Sequence, residues 1–118
     1  MTQVSRSSKW LAASAGALLV WLGTSALGAA AAQRAPVRHT VTIDATSYSP
    51  KTVTVAVGDT VVWVNKDLLV HTVTARDGRY DSRDIPAGGS WSYTPKATGL
   101  SAYACNYHTT MRGTLRVR

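Results

Sequence analysis

Four side chains with metal-binding chemistry form one short pattern near the end of this 118-residue sequence. The pattern is His71, followed by Cys105, His108 and Met111 with the spacing C-x2-H-x2-M. Two imidazoles, one thiolate and one thioether are the donors of a mononuclear blue-copper site, where the thioether is a weak axial ligand. Zinc is more typically held by several cysteines and histidines. The pattern therefore predicts one type 1 copper ion, cycling between Cu(I) and Cu(II), with these four residues as ligands.

Each of these residues has an ordinary structural interpretation when it is taken alone. A lone cysteine usually behaves as a small buried hydrophobe, and a lone methionine fills a gap in a core. Unrelated structural roles do not explain why the rarest soft ligands crowd into the seven residues from Cys105 to Met111. The combination therefore favours a metal site. The third histidine, His39, lies outside the pattern and is interpreted as a solvent-exposed histidine of the N-terminal tail.

The N-terminal residues have the layout of a secretory signal. A basic start with Arg6 and Lys9 precedes an apolar stretch at 10–22 and a run of small residues at 28–32. This predicts a signal peptide at 1–32, a short tail at 33–39 and one domain at 40–118, in a periplasmic or otherwise exported protein. If the segment is not cleaved, it is long enough to anchor the chain in a membrane, which takes about 20 residues.

The charge of the chain indicates the kind of partner that it meets. The net charge is +7, and two of the 13 basic residues but none of the six acidic ones lie in residues 1–32, which leaves +5 for the remainder. The basic residues are spread along the chain and do not interleave with aromatic residues, which argues against nucleic-acid binding. The excess predicts solubility and attraction to a redox partner protein with an acidic docking surface.

The remainder of the sequence has the pattern of an all-β domain. Valine-rich or alternating segments follow one another from Thr40 onward, separated by turn signals such as Gly58-Asp59 and Asp77-Gly78, and no convincing helical pattern occurs. About seven short strands predict a Greek-key antiparallel β-sandwich. The candidates begin at Thr40 and continue at 52–57, 60–65, 71–75, 90–93, 101–105 and 114–117. An immunoglobulin-type sandwich typically has two cysteines bracketing a tryptophan, and this chain has one cysteine.

Several motifs between Thr40 and Val117 resemble those of the cupredoxins, within them the amicyanin and plastocyanin group. They are Tyr48-Ser49-Pro50, the segment Val53, Val55 and Val57-Gly58-Asp59-Thr60, the strand Val62-Trp63-Val64-Asn65 leading to His71, and Gly99, Tyr103, Cys105, His108, Met111, Arg112 and Gly113 around the ligand loop. The short C-x2-H-x2-M loop is similar to that of amicyanin. Two positions depart from the family pattern. Thr72 stands where an asparagine usually braces the loop, and Tyr107 stands where a proline often precedes the second histidine.

The resemblance implies an exported, monomeric carrier that shuttles single electrons between partner proteins. It also implies that electrons leave through the loop histidine His108, within an apolar patch that includes Leu68, Leu69 and Val70. No open coordination position or nearby general base is indicated, and the histidines for a second copper are missing, so neither an enzyme nor a small-molecule substrate is expected. The alternatives are a copper storage or delivery protein with the same ligands, and a sandwich that binds a partner without any metal.

Overall fold

The computed structural model describes residues 34–118, together with positions 16, 17 and 23 of the preceding segment. The rest of the expected signal peptide lies outside the described residues. In the part of the chain that is described, no helix is long and apolar enough to cross a membrane.

In residues 34–118, eight strands form two four-stranded sheets that pack as a sandwich. The strands are β1 (Arg38–Asp44), β2 (Ser47–Ser49), β3 (Thr52–Val55), β4 (Thr60–Asn65), β5 (Thr74–Ala75), β6 (Ser90–Tyr93), β7 (Gly99–Ala104) and β8 (Arg112–Val117). The first sheet has the order β2-β1-β4-β6, and the second has the order β3-β8-β7-β5. The all-β sandwich expected from the sequence is confirmed.

The alternation of apolar and polar residues places one face of each sheet in a common core. Val41 and Ile43 of β1 are completely buried in the first sheet, and Leu115 of β8 is buried opposite in the second. Trp63 fills the centre, with its ring edge-on to Tyr103 at 5.5 Å between ring centroids. Large aromatic side chains contribute much of the buried area in a domain of this size.

Two strand pairings differ from the antiparallel sandwich that the sequence predicts. β1 pairs with β4 in parallel, and β3 pairs with β8 in parallel, so both sheets are mixed. The expected strand at 71–75 is also shorter: only Thr74 and Ala75 form β5, while His71 makes an isolated bridge to Ile85. A period-two pattern shows which face is buried but not the direction of the neighbouring strand, which depends on where the chain crosses between sheets.

The segment before Thr40 is part of the sandwich, and the interpretation of His39 as an exposed tail residue was wrong. β1 begins at Arg38, and the His39 side chain is only 26% exposed, with Nε2 2.9 Å from Oδ2 of Asp59. The same carboxylate accepts the backbone N–H of Val37 and two hydrogen bonds from Arg34. A buried carboxylate requires such partners, and the residues before Thr40 provide them.

The ring of Tyr103 packs closely over Gly113 at the end of the sandwich that carries the candidate site. Tyr103 of β7 lies opposite Gly113 of β8, and a Cβ at position 113 would overlap the tyrosine ring. The absence of a side chain at Gly113 therefore lets the ring lie flat against the start of β8, two residues after Met111.

Candidate metal centre

Three of the four sequence-predicted ligands lie in the loop that joins β7 to β8. Cys105 follows the end of β7, and Met111 precedes the start of β8. The backbone N–H of Cys105 donates to the carbonyl of Met111 at 3.1 Å, and the N–H of Met111 donates to the carbonyl of His108 at 2.9 Å. These bonds close the loop tightly, so the side chains of all three residues start from one end of the sandwich.

The structure brings His71 to the same place from the connection between β4 and β5. The Sγ of Cys105 lies 3.7 Å from Nδ1 of His71 and 3.8 Å from Nδ1 of His108. One donor atom from each of the three residues lies within 4.8 Å of the others. Metal bonds of about 2.0–2.3 Å in a trigonal arrangement separate neighbouring donors by roughly 3.5–4 Å. The spacing of the two nitrogens from the sulfur therefore fits one metal ion.

The candidate ligands differ in their access to solvent. His71 is completely buried, Cys105 and Met111 are each 2% exposed, and His108 is partly exposed. Met111, the predicted axial ligand, is thus enclosed next to the loop to which its backbone is bonded. His108 is the candidate ligand through which the site meets the surface, as the family resemblance implies.

A carboxylate that the sequence analysis missed holds the ring of His71. Oδ2 of Asp67 lies 2.9 Å from Nε2 of His71, and it also accepts the backbone N–H of Thr46. The hydrogen bond from His71 is the main cause that lowers the pKa of Asp67. An ionised carboxylate only accepts hydrogen bonds, so Nε2 carries the proton and Nδ1, which faces the sulfur, is left free as a donor to a metal. The sequence feature that could have indicated this contact is an aspartate four residues before the histidine.

The backbone of His71 is held as firmly as its ring. Its N–H and carbonyl form two hydrogen bonds with Ile85, at 3.2 and 2.8 Å. The buried side chain of Asn65 donates to the carbonyls of Leu69 and Ile85, which ties the loop before His71 to the next connection. A candidate ligand that is fixed at both ring and backbone changes its position little when a metal changes its charge.

Polar groups around Cys105 favour its thiolate. Burial raises the pKa of the thiol, but the N–H of Thr72, the neighbouring imidazoles and the amide of Tyr107 together outweigh burial and lower that pKa to about 6. The strongest of these contacts is the N–H of Thr72, whose nitrogen is 3.4 Å from Sγ. The thiolate is the form that binds a metal, so the site is electrostatically prepared for one.

Exposed side chains adjoin the candidate ligands along the chain. Tyr107 precedes His108; its hydroxyl donates to Oδ1 of Asp84 at 2.5 Å, and the tyrosine is half exposed. Leu68, Leu69 and Val70 precede His71 and are 92%, 50% and 38% exposed. These three form an apolar rim, defined here as residues 68–70, directly before His71 in the chain.

Comparison with known proteins agrees with this geometry. The sequence profile of the family described as "Cupredoxin-like domain" matches residues 13–117. The chain belongs to this family. The cupredoxin resemblance deduced from the sequence is therefore confirmed, and the fold together with the His-Cys-His donor group supports a single type 1 copper ion as the cofactor of this cupredoxin.

Solved structures extend the comparison. An oxidized mutant of amicyanin is 27% identical, has a TM-score of 0.65, and is aligned over 68% of this cupredoxin and 81% of its own chain. The purple cupredoxin from Nitrosopumilus maritimus is 23% identical, with a TM-score of 0.62 over 68% and 99% of the two chains, and shows the shared fold. The copper-containing nitrite reductase from Thermus scotoductus is 26% identical, with a TM-score of 0.66 over 72% of this chain but 23% of the reductase. No curated protein matches the sequence.

Proposed function

We propose that this cupredoxin is an exported, monomeric electron carrier in which His71, Cys105, His108 and Met111 ligate one copper ion. The observation that carries the proposal is the preformed donor group, with two imidazole nitrogens 3.7 and 3.8 Å from one thiol sulfur and a single partly exposed member. Bound copper supplies a one-electron couple, Cu(I)/Cu(II). His71 and Cys105 exclude water from one side, and His108 provides the short path to a partner.

The site favours a carrier over an enzyme. After His71 and His108 are used, the only histidine left in the sequence is His39, which is engaged by Asp59. A second copper centre of histidines therefore has no ligands in this chain. The likeness to the nitrite reductase extends over less than a quarter of that chain. These observations support a protein that holds and passes an electron, with redox proteins as its partners and no small-molecule substrate.

Visible absorption of the copper-loaded protein tests the ligand set. A thiolate bound to Cu(II) in a trigonal site gives intense visible colour, so Cys105→Ser should abolish the colour. Met111→Leu should keep the colour and raise the reduction potential, because a weak donor to Cu(II) is lost. A colourless Cu(II) protein, or a Cys105→Ser variant that stays coloured, would contradict the assignment.

A second measurement separates a carrier from a copper storage or delivery protein. A carrier should exchange electrons rapidly between its own Cu(I) and Cu(II) forms, as measured by NMR line broadening, and should retain copper against a chelator. A storage protein should release copper to the chelator quickly and show little electron exchange. Failure to bind copper at all would leave only a metal-free binding module.

The N-terminal segment supports export, and its role is part of the proposal. Residues 1–32 would be a signal peptide, followed by the short segment 33–39, which runs into the first strand at Arg38, and by the rest of the domain at 40–118. Mass spectrometry of the protein recovered from the exported fraction tests this, because cleavage should occur after Ala30 or Ala32. A protein of full mass that sediments with membranes would instead indicate an anchor.

A further inference from the structure

Along three of its four strands and their ends, the second sheet carries basic residues and no acidic ones. The strands β3, β7 and β8 and the residues at their ends (51–55, 99–104 and 112–118) contain four basic residues and no acidic one. A fifth basic residue, Arg76, follows β5, and its backbone N–H donates to Ala102 of β7. All five are exposed. We call this surface the basic face; its cations are Lys51, Arg76, Arg112, Arg116 and Arg118.

Strand geometry places the cations of β8 on one side of the sheet. Along β8 the exposed residues Arg112 and Arg116 alternate with the buried Gly113, Leu115 and Val117. Residues that are paired with them on a neighbouring strand lie on the same side, because side chains alternate between the two faces of a sheet. Arg116, for example, is paired with Leu100 of β7.

A hollow lies between three of these cations. Lys51, Arg76 and Arg112 line this hollow of about 350 Å³, whose other lining residues include Ala102 and Thr114. Leu100 is 64% exposed and is paired with Arg116. A sheet surface about four strands wide, or roughly 15–20 Å, has the dimensions of a protein contact and is too wide for a single bound ion.

The positive charge of this face is not neutralised within the domain. In residues 34–118 the ion pairs join Asp59 to Arg34 and His39, Asp67 to His71, Asp77 to Arg79 and Asp81 to Arg83, and none involves a cation of the basic face. Like charges held on one surface without counter-charges repel one another, and they create a field that attracts an opposite surface.

The basic face is also continuous with the candidate metal centre. β7 leads directly into Cys105, and β8 starts at Arg112, the residue after Met111. We propose that the basic face docks an acidic surface of a redox partner protein, an inference that rests on the proposed function. A membrane fits less well, because interfacial binding uses several Trp, Phe or Leu side chains and this face exposes one leucine.

Titration with two soluble redox proteins tests the proposal. The Cu(I) form of the cupredoxin, labelled with 15N, is titrated with an acidic c-type cytochrome and, separately, with a basic one. The amide signals of residues 51–55, 99–104 and 112–118 should shift with the acidic cytochrome alone. Shifts confined to the outer face of the other sheet, or no shifts with the acidic cytochrome, would overturn the proposal.

Two double variants with the same change in net charge separate this surface from charge in general. Lys51→Glu/Arg116→Glu alters the basic face, whereas Arg38→Glu/Lys96→Glu alters exposed positions outside it. At low ionic strength the first pair should weaken binding of the acidic cytochrome about tenfold or more, and the second at most about threefold. Equal weakening by both pairs would mean that only the net charge matters. Arg112 is kept in both variants because it adjoins Met111.

Two further outcomes distinguish failure of the docking proposal from failure of the proposed carrier function. If the acidic cytochrome shifts the amides of the basic face but no electron passes between the two proteins in stopped-flow experiments, the docking surface stands and the carrier function fails. If vesicles of anionic phospholipid shift these amides and the acidic cytochrome does not, the surface binds membranes and the proposal is wrong.

Discussion

The backbone N–H of Thr72 donates a hydrogen bond to the sulfur of Cys105, with the nitrogen 3.4 Å away. The hydroxyl of the same threonine accepts the N–H of Asn106 at 3.0 Å. Thr72 therefore connects the segment that carries His71 to the ligand loop, at the position where the family usually has asparagine. The departure noted in the sequence leaves the loop braced through a shorter side chain.

Removal of the Thr72 hydroxyl should loosen this connection. Thr72→Val keeps the shape and the backbone N–H but leaves the N–H of Asn106 without its partner, which should lower the free energy of unfolding by about 1–3 kcal/mol. Thr72→Ser keeps the hydroxyl and serves as the matched control. Denaturant titration of both variants measures the effect. Equal stability of the valine variant and the native protein would show that water replaces the hydroxyl.

Asp67 should tune the metal through His71. Asp67→Asn removes the negative charge beside Nε2, so the imidazole becomes a weaker donor and the Cu(II) form is less favoured. The reduction potential should rise, and the affinity for Cu(II) should fall by roughly 10–100-fold. Asp84→Asn, which removes a carboxylate bonded to Tyr107, is the control for loss of charge near the site. Cyclic voltammetry of both variants measures their reduction potentials. Equal shifts of the two potentials would indicate a general charge effect.

The amide of Tyr107 should raise the reduction potential. It helps to lower the pKa of the Cys105 thiol, and a hydrogen bond to the thiolate weakens its donation to copper. Tyr107→Pro lacks that N–H and should have a lower potential. Tyr107→Phe keeps the N–H and loses the bond from the hydroxyl to Asp84, so it separates the two effects. A proline variant with intact fold and an unchanged or higher potential would reject this role.

The apolar rim should govern electron exchange. Leu69→Ser, alone or combined with Leu68→Ser, should slow electron self-exchange between Cu(I) and Cu(II) copies without altering the visible spectrum, because exposed apolar residues directly before His71 favour close contact. Val57→Ser is the control, since Val57 is 46% exposed and lies in the turn before β4. NMR line widths at high salt give the rates. Unchanged self-exchange rates in the rim variants would mean that the two copies make contact through another surface.

Asp59 should make stability depend on pH in the acid range. Hydrogen bonds from the N–H groups of Val37 and Ala56, then from His39 and Arg34, hold the pKa of its carboxyl well below the ordinary value of 3.8. The ionised carboxylate therefore stabilises the fold above that value, and this stabilisation is lost as the pH falls below it. Asp59→Asn should lower Tm at pH 7, with a smaller deficit near pH 2. Asp44→Asn, at an exposed site, should change Tm little at either pH.

Residue types and spacing were sufficient to predict the sandwich and to propose that His71, Cys105 and His108 share one site, because soft ligands are rare and the loop between the last two is short; the structure places their donor atoms within 4.8 Å of one another. The role of Asp67 could not be predicted, since an aspartate four residues before a histidine faces it only if the intervening loop folds back. The engagement of His39 by Asp59 was missed for a similar reason. It joins residues 20 positions apart across a pair of strands whose parallel direction the sequence pattern does not specify.

The distance along the chain between His71 and Cys105 has a consequence for the unfolded protein. The two residues are 34 positions apart, and a metal bound to both would close the intervening chain into a ring. By analogy with a covalent cross-link, a ring of that size restricts the unfolded chain by about 3–4 kcal/mol at 25 °C. A domain of this size has a total stability of only about 5–15 kcal/mol. A protein with a single cysteine would thus gain from copper the restriction of chain entropy that many small domains obtain from a disulfide.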